Sequence, residues 1–311
     1  MDISIVVPVY GCRAALPELY RRLVNTLEGM NKSFEIILVD DHCPQGSWED
    51  ISKLADKDDR VVGIRFSRNF GQIKAITAGL DASCGDWVVV MDCDLQDRPE
   101  GIVELYNKAQ EGYDVVFARR KNRQDTTITK FFSKAFYKVY DYFTDGNFDN
   151  TICNYSISKR IVIDAYCSMR EQKRAYTLFI RWLGFSQTAI DLEAAARYEG
   201  KSSYSFKKKL KMAFELITAQ STKPLKFAIN LGFLVSLASF ITILYLVIRY
   251  CINPAEAFIG WTSTIAIMLL MGGLIMAAIG IAGLYIGNIF DEVKGRPLYV
   301  VKEIKMKGKE K

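Results

Sequence analysis

The sequence contains a single histidine, His42, among its 311 residues, and this excludes a zinc site built from several histidines. Its seven cysteines form no Cys-x-x-Cys pair and are odd in number, and a disulfide framework is not expected in a chain of this length. We therefore expect reduced thiols, as in cytosolic proteins. The first residues, Met1 to Ser4, include no basic segment, so no cleaved signal peptide is expected.

Charge is mixed, with 41 Lys plus Arg against 35 Asp plus Glu and a net charge of +6. The basic residues cluster at Lys207–Lys211 and in the tail from Lys302 to Lys311. Nucleic acid is one possible partner for such clusters. Because they flank apolar segments, we favour anionic lipid headgroups and expect no nucleic-acid binding.

Two long apolar segments, 227–250 and 261–289, distinguish the C-terminal part of the chain. A transmembrane helix needs about 20 such residues, so both are predicted to span a membrane. The alternative is a buried helical hairpin in a soluble protein. The connecting loop carries little positive charge, whereas Lys223, Lys226, Lys294 and Arg296 flank the pair. The positive-inside rule then places the preceding domain and the C-terminus in the cytosol.

Before these segments, apolar strands alternate with helical patterns. The strands are predicted at 3–9, 34–39, 61–66, 87–91 and 115–118, and the helices at 16–27, 48–55, 72–82 and 99–110. This alternation predicts an α/β fold, a parallel sheet covered by helices on both faces. Ligands of such sheets bind beyond the carboxyl ends of the strands.

One strand end is the most informative place in the sequence. The run Val88–Met91 is followed at once by Asp92 and Asp94, with Gln96 and Asp97 just beyond. Two carboxylates one residue apart can share a hard divalent cation, which commonly bridges a protein to substrate phosphates. Gln96 adds an oxygen, and Asp97 can orient a ligand. The alternative is a solvated acidic turn.

Other strand ends carry weaker candidates. Pro8 and Tyr10 end the first strand, where a ring can stack on a base, and Asp41 ends the second, where a helix-capping or turn role is equally compatible. Arg120 and Arg123 follow the fifth strand and suit phosphate, although ordinary surface charge is the alternative.

Two further segments precede the apolar pair. The polar loop 197–204 suits an anionic headgroup or is a flexible linker, and 206–217 is a basic amphipathic helix suited to the headgroup surface or to solvent.

Taken in order, these segments resemble the inverting glycosyltransferase family 2, and within it the polyprenyl-phosphate glycosyltransferases. The resemblance runs through Ser4–Tyr10, Val39–Asp41, Arg68–Gly71, Met91–Asp97, Arg120-x-x-Arg123, Arg197-x-x-Gly200, Lys223–Leu225 and Glu292–Tyr299. It implies a GT-A (Rossmann-like) domain, followed by amphipathic interfacial helices and two transmembrane helices. It also implies transfer of a sugar from a nucleotide sugar, by preference a UDP-sugar, to a polyprenyl phosphate.

The resemblance assigns roles to individual residues. It implies a nucleotide site of Pro8, Tyr10, Val39, Asp41, Asp92 and Arg120; a Mg²⁺ or Mn²⁺ site of Asp92, Asp94 and Gln96; catalytic roles for Asp94, Asp97 and Arg120; and an acceptor-phosphate site of Arg123, Arg197, Lys201 and Ser203.

The expected organisation is a glycosyltransferase domain at 1–205, a juxtamembrane helix at 206–225, a transmembrane hairpin at 226–290 and a basic tail at 291–311. We expect an integral protein of the bacterial inner membrane, with the catalytic domain and both termini cytosolic. Glycines in the second apolar segment permit close helix approach, so a homo-oligomer is expected.

Two alternatives remain open from the sequence. One is a glycosyltransferase acting on a saccharide hydroxyl, which needs a carboxylate base, with Asp97 as the candidate. The other is a non-catalytic membrane scaffold or lipid carrier.

Overall fold

A computed structural model describes residues 1–121, 152–193, 195, 218, 221–252, 261–307 and 309–310. The chain divides into two compact units. Among the described residues, the first unit contains a nine-stranded sheet with its covering helices, and the second contains two long helices. The basic amphipathic helix expected at 206–217 lies outside the described residues.

The sheet is mixed. Its strands are β1 (Ile3–Val9), β2 (Phe34–Asp40), β3 (Val61–Phe66), β4 (Trp87–Val90), β5 (Val115–Lys121), β6 (Ile152–Lys159), β7 (Gln187–Glu193), β8 (Val301–Met306) and β9 (Lys309–Glu310). They lie in the order β7-β5-β6-β4-β1-β2-β3-β8-β9. The central strands β4, β1, β2 and β3 are mutually parallel, as predicted, whereas β6 and β8 pair antiparallel with their neighbours.

Helices cover both faces of the sheet, as predicted. They are α1 (Leu16–Gly29), α2 (Ser47–Lys57), α3 (Gln72–Ala82), α4 (Gly101–Ala109), α5 (Arg160–Ser168) and α6 (Tyr176–Trp182). Buried residues of α1, α2 and α4 share one core cluster, and those of α3, α5 and α6 share the other. Because every residue of β1 and β2 is buried, both faces of these strands are packed, as expected for central strands.

Helix α3 packs closely on the central strands. A Cβ at Gly79 would lie 2.3 Å from Val6 Cγ1 and 3.3 Å from Val39 Cγ2, so only glycine fits there without a shift. This contact holds the second half of α3 against β1 and β2.

The segment after the second apolar helix returns to the sheet. β8 pairs with β3, Leu298 is buried, and the Tyr299 ring stacks on Phe66 with ring centroids 5.2 Å apart. β8 lies within the segment 291–311, for which the sequence predicts a basic tail, and it extends the sheet beyond β3.

The second unit contains α7 (Lys223–Ile252) and α8 (Trp261–Val293). Stretches of 20 residues in α7 and 24 in α8 are apolar and long enough to cross a membrane, and none of their residues is buried. Large side chains such as Phe233 and Met276 are 72% and 70% exposed. A buried hairpin of a soluble protein would conceal these side chains, so the exposure argues against that alternative.

Candidate functional site

The parallel strands β4, β1 and β2 end side by side. Val6 pairs with Val90 and Val9 with Asp40, and the ladder continues through N–H groups of Met91 to Val6 O and of Asp41 to Val9 O, both at 3.1 Å. The residues that follow these strands therefore share one edge of the sheet. Tyr10, Asp41, Asp92 and Asp94 lie there, as the sequence predicted.

Asp41 organises the loop that leads into α3. Its carboxylate accepts hydrogen bonds from the backbone N–H of Phe70 at 2.7 Å and of Gly71 at 2.9 Å. Asn69 Nδ2 donates to the Asp41 carbonyl at 3.3 Å. Burial raises the pKa of the Asp41 carboxyl, and the two backbone donors oppose that rise. The side chain thus holds the loop that precedes α3 and makes no side-chain cap of that helix, and nucleotide contact by Asp41 stays a prediction.

The other residues predicted to bind the nucleotide differ in solvent exposure. Tyr10 is 51% exposed and can stack on a planar ligand. Pro8 and Val39 are buried within their strands and form part of the floor beneath the site. Arg120 does not follow the fifth strand, as the sequence predicted, but lies within it, because β5 extends to Lys121 and pairs Arg120 with Leu192 of β7.

The loop after β4 alternates in exposure. Asp92, Asp94 and Gln96 are partly exposed, while Cys93, Leu95 and Asp97 are buried. The backbone N–H of Gln96 donates to Asp94 Oδ1 at 3.1 Å, and Leu95 adopts a left-handed φ of 60°. The three predicted metal ligands are thus the partly exposed members of this loop. We name residues 92–97 the carboxylate loop.

The chemistry of the carboxylate loop fits a divalent cation held jointly with a substrate. Asp92 and Asp94 supply oxygen ligands, which Mg²⁺ and Mn²⁺ favour. Within the described ranges, no group of three or more His, Cys, Asp or Glu side chains is arranged to hold a metal. Two carboxylates with the remaining positions left to phosphates and water is the usual arrangement for Mg²⁺ bound with a nucleotide.

Gln72, at the first position of α3, also contacts this loop. Its Nε2 donates to Asp92 Oδ1 at 2.7 Å. Sequence reasoning missed this residue, although its position directly after the loop glycine Gly71 placed it near a strand end.

A disulfide joins the two loops that border the site. Cys12, after β1, is bonded to Cys93 between the two aspartates, with the Cα atoms 6.2 Å apart. Cys43 lies close by, because its Sγ accepts the N–H of Gly11 at 3.2 Å. The expectation of reduced thiols throughout was therefore wrong for this pair in the structure. The two cysteines are 81 positions apart in the sequence, and no local pattern indicated the pairing.

A cavity of about 570 Å³ adjoins the carboxylate loop within the sheet domain. It is lined by Arg22, Gln96, Asp97, Arg98, Glu100, Gly101, Glu104, Ala118, Arg119, Tyr155, Asp191, Leu192, Glu193 and Ala195. Burial raises the pKa of Tyr155, so its hydroxyl stays protonated and donates to the Arg98 carbonyl at 2.8 Å. Gln96 and Asp97 are predicted site residues, whereas no sequence motif indicated that Arg119 and Asp191 line this cavity.

The predicted acceptor residues Arg123, Arg197, Lys201 and Ser203 all lie outside the described residues. The side chain of Arg120 also lies outside them.

Comparison with known proteins gives consistent results. The family profile described as Glycosyl transferase family 2 matches residues 4–172. The chain is 37% identical to the uncharacterized glycosyltransferase YkcC of Bacillus subtilis (strain 168), over 97% of this chain and 94% of that protein. It is 32% identical to the undecaprenyl-phosphate 4-deoxy-4-formamido-L-arabinose transferase of Proteus mirabilis (strain HI4320), over 97% of this chain and 93% of that protein.

Solved structures share the fold. Mannosyl-3-phosphoglycerate synthase from Rubrobacter xylanophilus aligns with a TM-score of 0.54 and 16% identity, covering 73% of this chain and 74% of that one. Glucosyl-3-phosphoglycerate synthase from Mycobacterium tuberculosis, in complex with Mn²⁺, UDP-glucose and phosphoglyceric acid, aligns with a TM-score of 0.50 and 15% identity, covering 70% and 77%. The GT-A fold expected from the resemblance is confirmed.

Proposed function

The chain belongs to glycosyl transferase family 2 and is a glycosyltransferase, and we propose that it transfers a sugar from a nucleotide sugar to the phosphate of a polyprenyl lipid. One observation carries this proposal. A single chain combines a carboxylate loop at the strand ends with two exposed apolar helices, and it resembles an undecaprenyl-phosphate transferase over nearly its whole length.

The carboxylate loop is the proposed cation site, with Asp92, Asp94 and Gln96 as ligands. A divalent cation held by these residues would neutralise the diphosphate of the donor and stabilise the charge that develops on it as it leaves. Mg²⁺ and Mn²⁺ are the proposed ions, and the M. tuberculosis relative in fold was solved with Mn²⁺ and UDP-glucose. By family resemblance we propose a UDP-sugar as the donor.

The proposed nucleotide site is formed by Tyr10, which stacks on the base, together with Pro8, Val39, Asp41, Asp92 and Arg120. Arg120 meets phosphate, because its guanidinium can form paired, charge-assisted hydrogen bonds. Asp94 and Asp97 flank the position of the transferred sugar.

The proposed reaction proceeds with inversion. An oxygen of the lipid phosphate attacks the anomeric carbon as the bond from that carbon to the diphosphate oxygen breaks, and the nucleoside diphosphate departs with the electron pair. A phosphate monoester has a second pKa near 6 and is largely dianionic at neutral pH, so the nucleophile needs no general base. Arg123, Arg197, Lys201 and Ser203 are the proposed contacts of the acceptor phosphate.

A second candidate function uses a saccharide hydroxyl as acceptor. It requires a carboxylate base, and the position of Asp97 in the wall of the cavity keeps this candidate open. Membership in a family of glycosyltransferases disfavours the scaffold alternative.

We propose that α7 and α8 span the bacterial inner membrane and that the catalytic domain and both termini are cytosolic. Lys223, Lys226, Lys294 and Arg296 flank the pair, in agreement with the positive-inside rule. Since β8 belongs to the same sheet as β1, the chain must cross an even number of times between them. The division into 1–205, 206–225, 226–290 and 291–311 and the homo-oligomer remain predictions.

A donor screen tests the proposal. Full-length protein in lipid nanodiscs is incubated with Mn²⁺ or Mg²⁺, undecaprenyl phosphate and a panel of radiolabelled UDP-sugars. We expect label in an organic-extractable product that releases the sugar in mild acid, and none when the lipid or the metal is omitted. Transfer to a soluble saccharide instead would support the hydroxyl-acceptor candidate, and absence of transfer with every donor would overturn the proposed reaction.

A further inference from the structure

Gln72 connects the start of α3 to the carboxylate loop. We propose that Gln72 is a positioning residue for the cation site, because its side-chain amide holds Asp92 in the orientation that binds a divalent cation together with a nucleoside diphosphate. This inference rests on the proposed function. The contact that carries it is the hydrogen bond of 2.7 Å from Gln72 Nε2 to Asp92 Oδ1.

The position of Gln72 is itself fixed by the neighbouring strand. Asp41, at the end of β2, binds the N–H groups of Phe70 and Gly71 with its two carboxylate oxygens. Gly71 has a φ of 97° and a ψ of 154°, a conformation that is open to glycine and strained for other residues. Gln72 therefore directly follows a turn that is held in place by the end of β2. Its amide reaches from there to the end of β4, and β1 lies between these two strands.

The chemistry of an amide suits this task better than that of a cationic side chain. A carboxylate that ligates a metal is usually held by a second hydrogen bond, which fixes its orientation. Lysine or arginine at this position would also hold Asp92, but it would cancel the negative charge that attracts the cation. Gln72 donates a hydrogen bond while leaving that charge in place.

Structural roles for Gln72 make a different prediction. If the side chain only starts α3 or fills space, a residue of the same length without a donor will serve equally. Gln72→Met keeps length and volume and removes the donor. Gln72→Lys keeps a donor and adds a charge. Gln110→Met is the matched control, since Gln110 is exposed at the end of α4.

The test measures binding of Mn²⁺ directly. Free Mn²⁺ is quantified by electron paramagnetic resonance during titration of full-length protein saturated with UDP, and thermal unfolding is recorded in parallel. We expect Gln72→Met to weaken Mn²⁺ binding by about tenfold or more, as losses of such supporting hydrogen bonds do. Gln72→Lys should weaken it at least as much, while Gln110→Met and the wild type bind alike.

The outcomes distinguish a failure of the proposed cation site from a failure of the positioning role of Gln72. If the wild type with UDP fails to bind Mn²⁺, the proposed cation site itself fails. If the wild type binds and both Gln72 variants bind equally well, the positioning role is overturned. Should Gln72→Met fail to fold, Gln72→Leu, which also lacks the donor and adds no charge, decides: wild-type Mn²⁺ affinity in that folded variant contradicts the proposal, and weakened affinity supports it.

Discussion

The Tyr299 ring lies on Phe66 with the two ring planes 16° apart, and the Tyr299 hydroxyl donates to Asp81 at 2.6 Å. Asp81 also receives both terminal nitrogens of Arg170, at 2.8 and 2.9 Å. These contacts attach the segment before β8 to strand β3 and helix α3. The loop after α5 joins them through Arg170, which shares Asp81. The C-terminal residues are thus an integral part of the catalytic sheet domain.

Removing these contacts should loosen β8. Tyr299→Ala loses the stacked pair and the hydrogen bond, so we expect a local loss of about 2 kcal/mol, against about 1 kcal/mol for Tyr299→Phe. Hydrogen–deuterium exchange of residues 301–306 in the full-length protein measures this loss. Unchanged protection of the strand in Tyr299→Ala would show that the β3–β8 ladder alone holds it.

Asp94→Ala should abolish sugar transfer while leaving the protein folded and membrane-bound. The variant removes a proposed metal ligand, and we expect turnover to fall by roughly 100-fold or more. Asp59→Ala is the control, because Asp59 is an exposed aspartate of the loop before β3. Transfer at the wild-type rate in Asp94→Ala would refute the metal assignment.

Asp41→Asn should destabilise the loop that starts α3. Asparagine has one acceptor oxygen, so its amide nitrogen would face one of the two N–H groups that the carboxylate now binds. Leaving a buried donor unsatisfied costs about 1–3 kcal/mol. Thermal unfolding and UDP affinity measure the effect, and the interpretation fails if both match the wild type.

The cluster of Asp58, Arg60 and Tyr20 predicts a pH dependence of stability. Arg60 and the Tyr20 hydroxyl hold the pKa of the Asp58 carboxyl well below its usual range, with the Arg60 side chain as the largest cause. The ionised form is therefore favoured in the folded state, and its contribution is complete above the unfolded pKa of about 3.9. It is lost as the pH falls from there through the folded pKa.

Asp58→Asn is the matched variant for that dependence. At pH 7 we expect it to be less stable than the wild type by about 1.5–3 kcal/mol, since it loses charged hydrogen bonds. The difference should shrink below about pH 4. Thermal unfolding of both proteins between pH 7 and the acid limit of solubility measures it, and a pH-independent difference would contradict the assignment.

The Cys12–Cys93 bridge predicts sensitivity to thiols. Dithiothreitol would give two protein thiols and its own cyclic disulfide, and we expect the free energy of unfolding to fall by about 2–5 kcal/mol. Cys12→Ser should show no further change on reduction, whereas Cys84→Ser, which alters an exposed free cysteine, should respond like the wild type. If reduction destabilises Cys12→Ser as much as it destabilises the wild type, the loss of stability does not come from the Cys12–Cys93 disulfide.

The central strands could be predicted from the sequence because each is a contiguous run of apolar residues. The apolar run before Asp92 and the one before Asp40 each identify a buried strand, and parallel pairing then places their ends together. The ordered motifs similarly identified the family. Asp92, Asp94 and Gln96 are all partly exposed in their loop, and their role as metal ligands stays a prediction.

Other features depend on contacts between distant parts of the chain. The reach of Gln72 to Asp92 is set by how α3 packs on β1, which no local pattern encodes. The Cys12–Cys93 pairing and the return of β8 to β3 are likewise long-range. Antiparallel insertion of β6 between β5 and β4 could not be distinguished from a parallel strand by composition.

The place of β8 has a consequence for biosynthesis. In chain order β8 follows both apolar helices, yet it covers one edge of β3. During translation that edge stays unpaired until the ribosome has completed the hairpin, and open strand edges invite association with other nascent chains. A chain terminated inside α8 would carry the carboxylate loop intact but expose this edge, making it a substrate for chaperones and proteases rather than a smaller soluble enzyme.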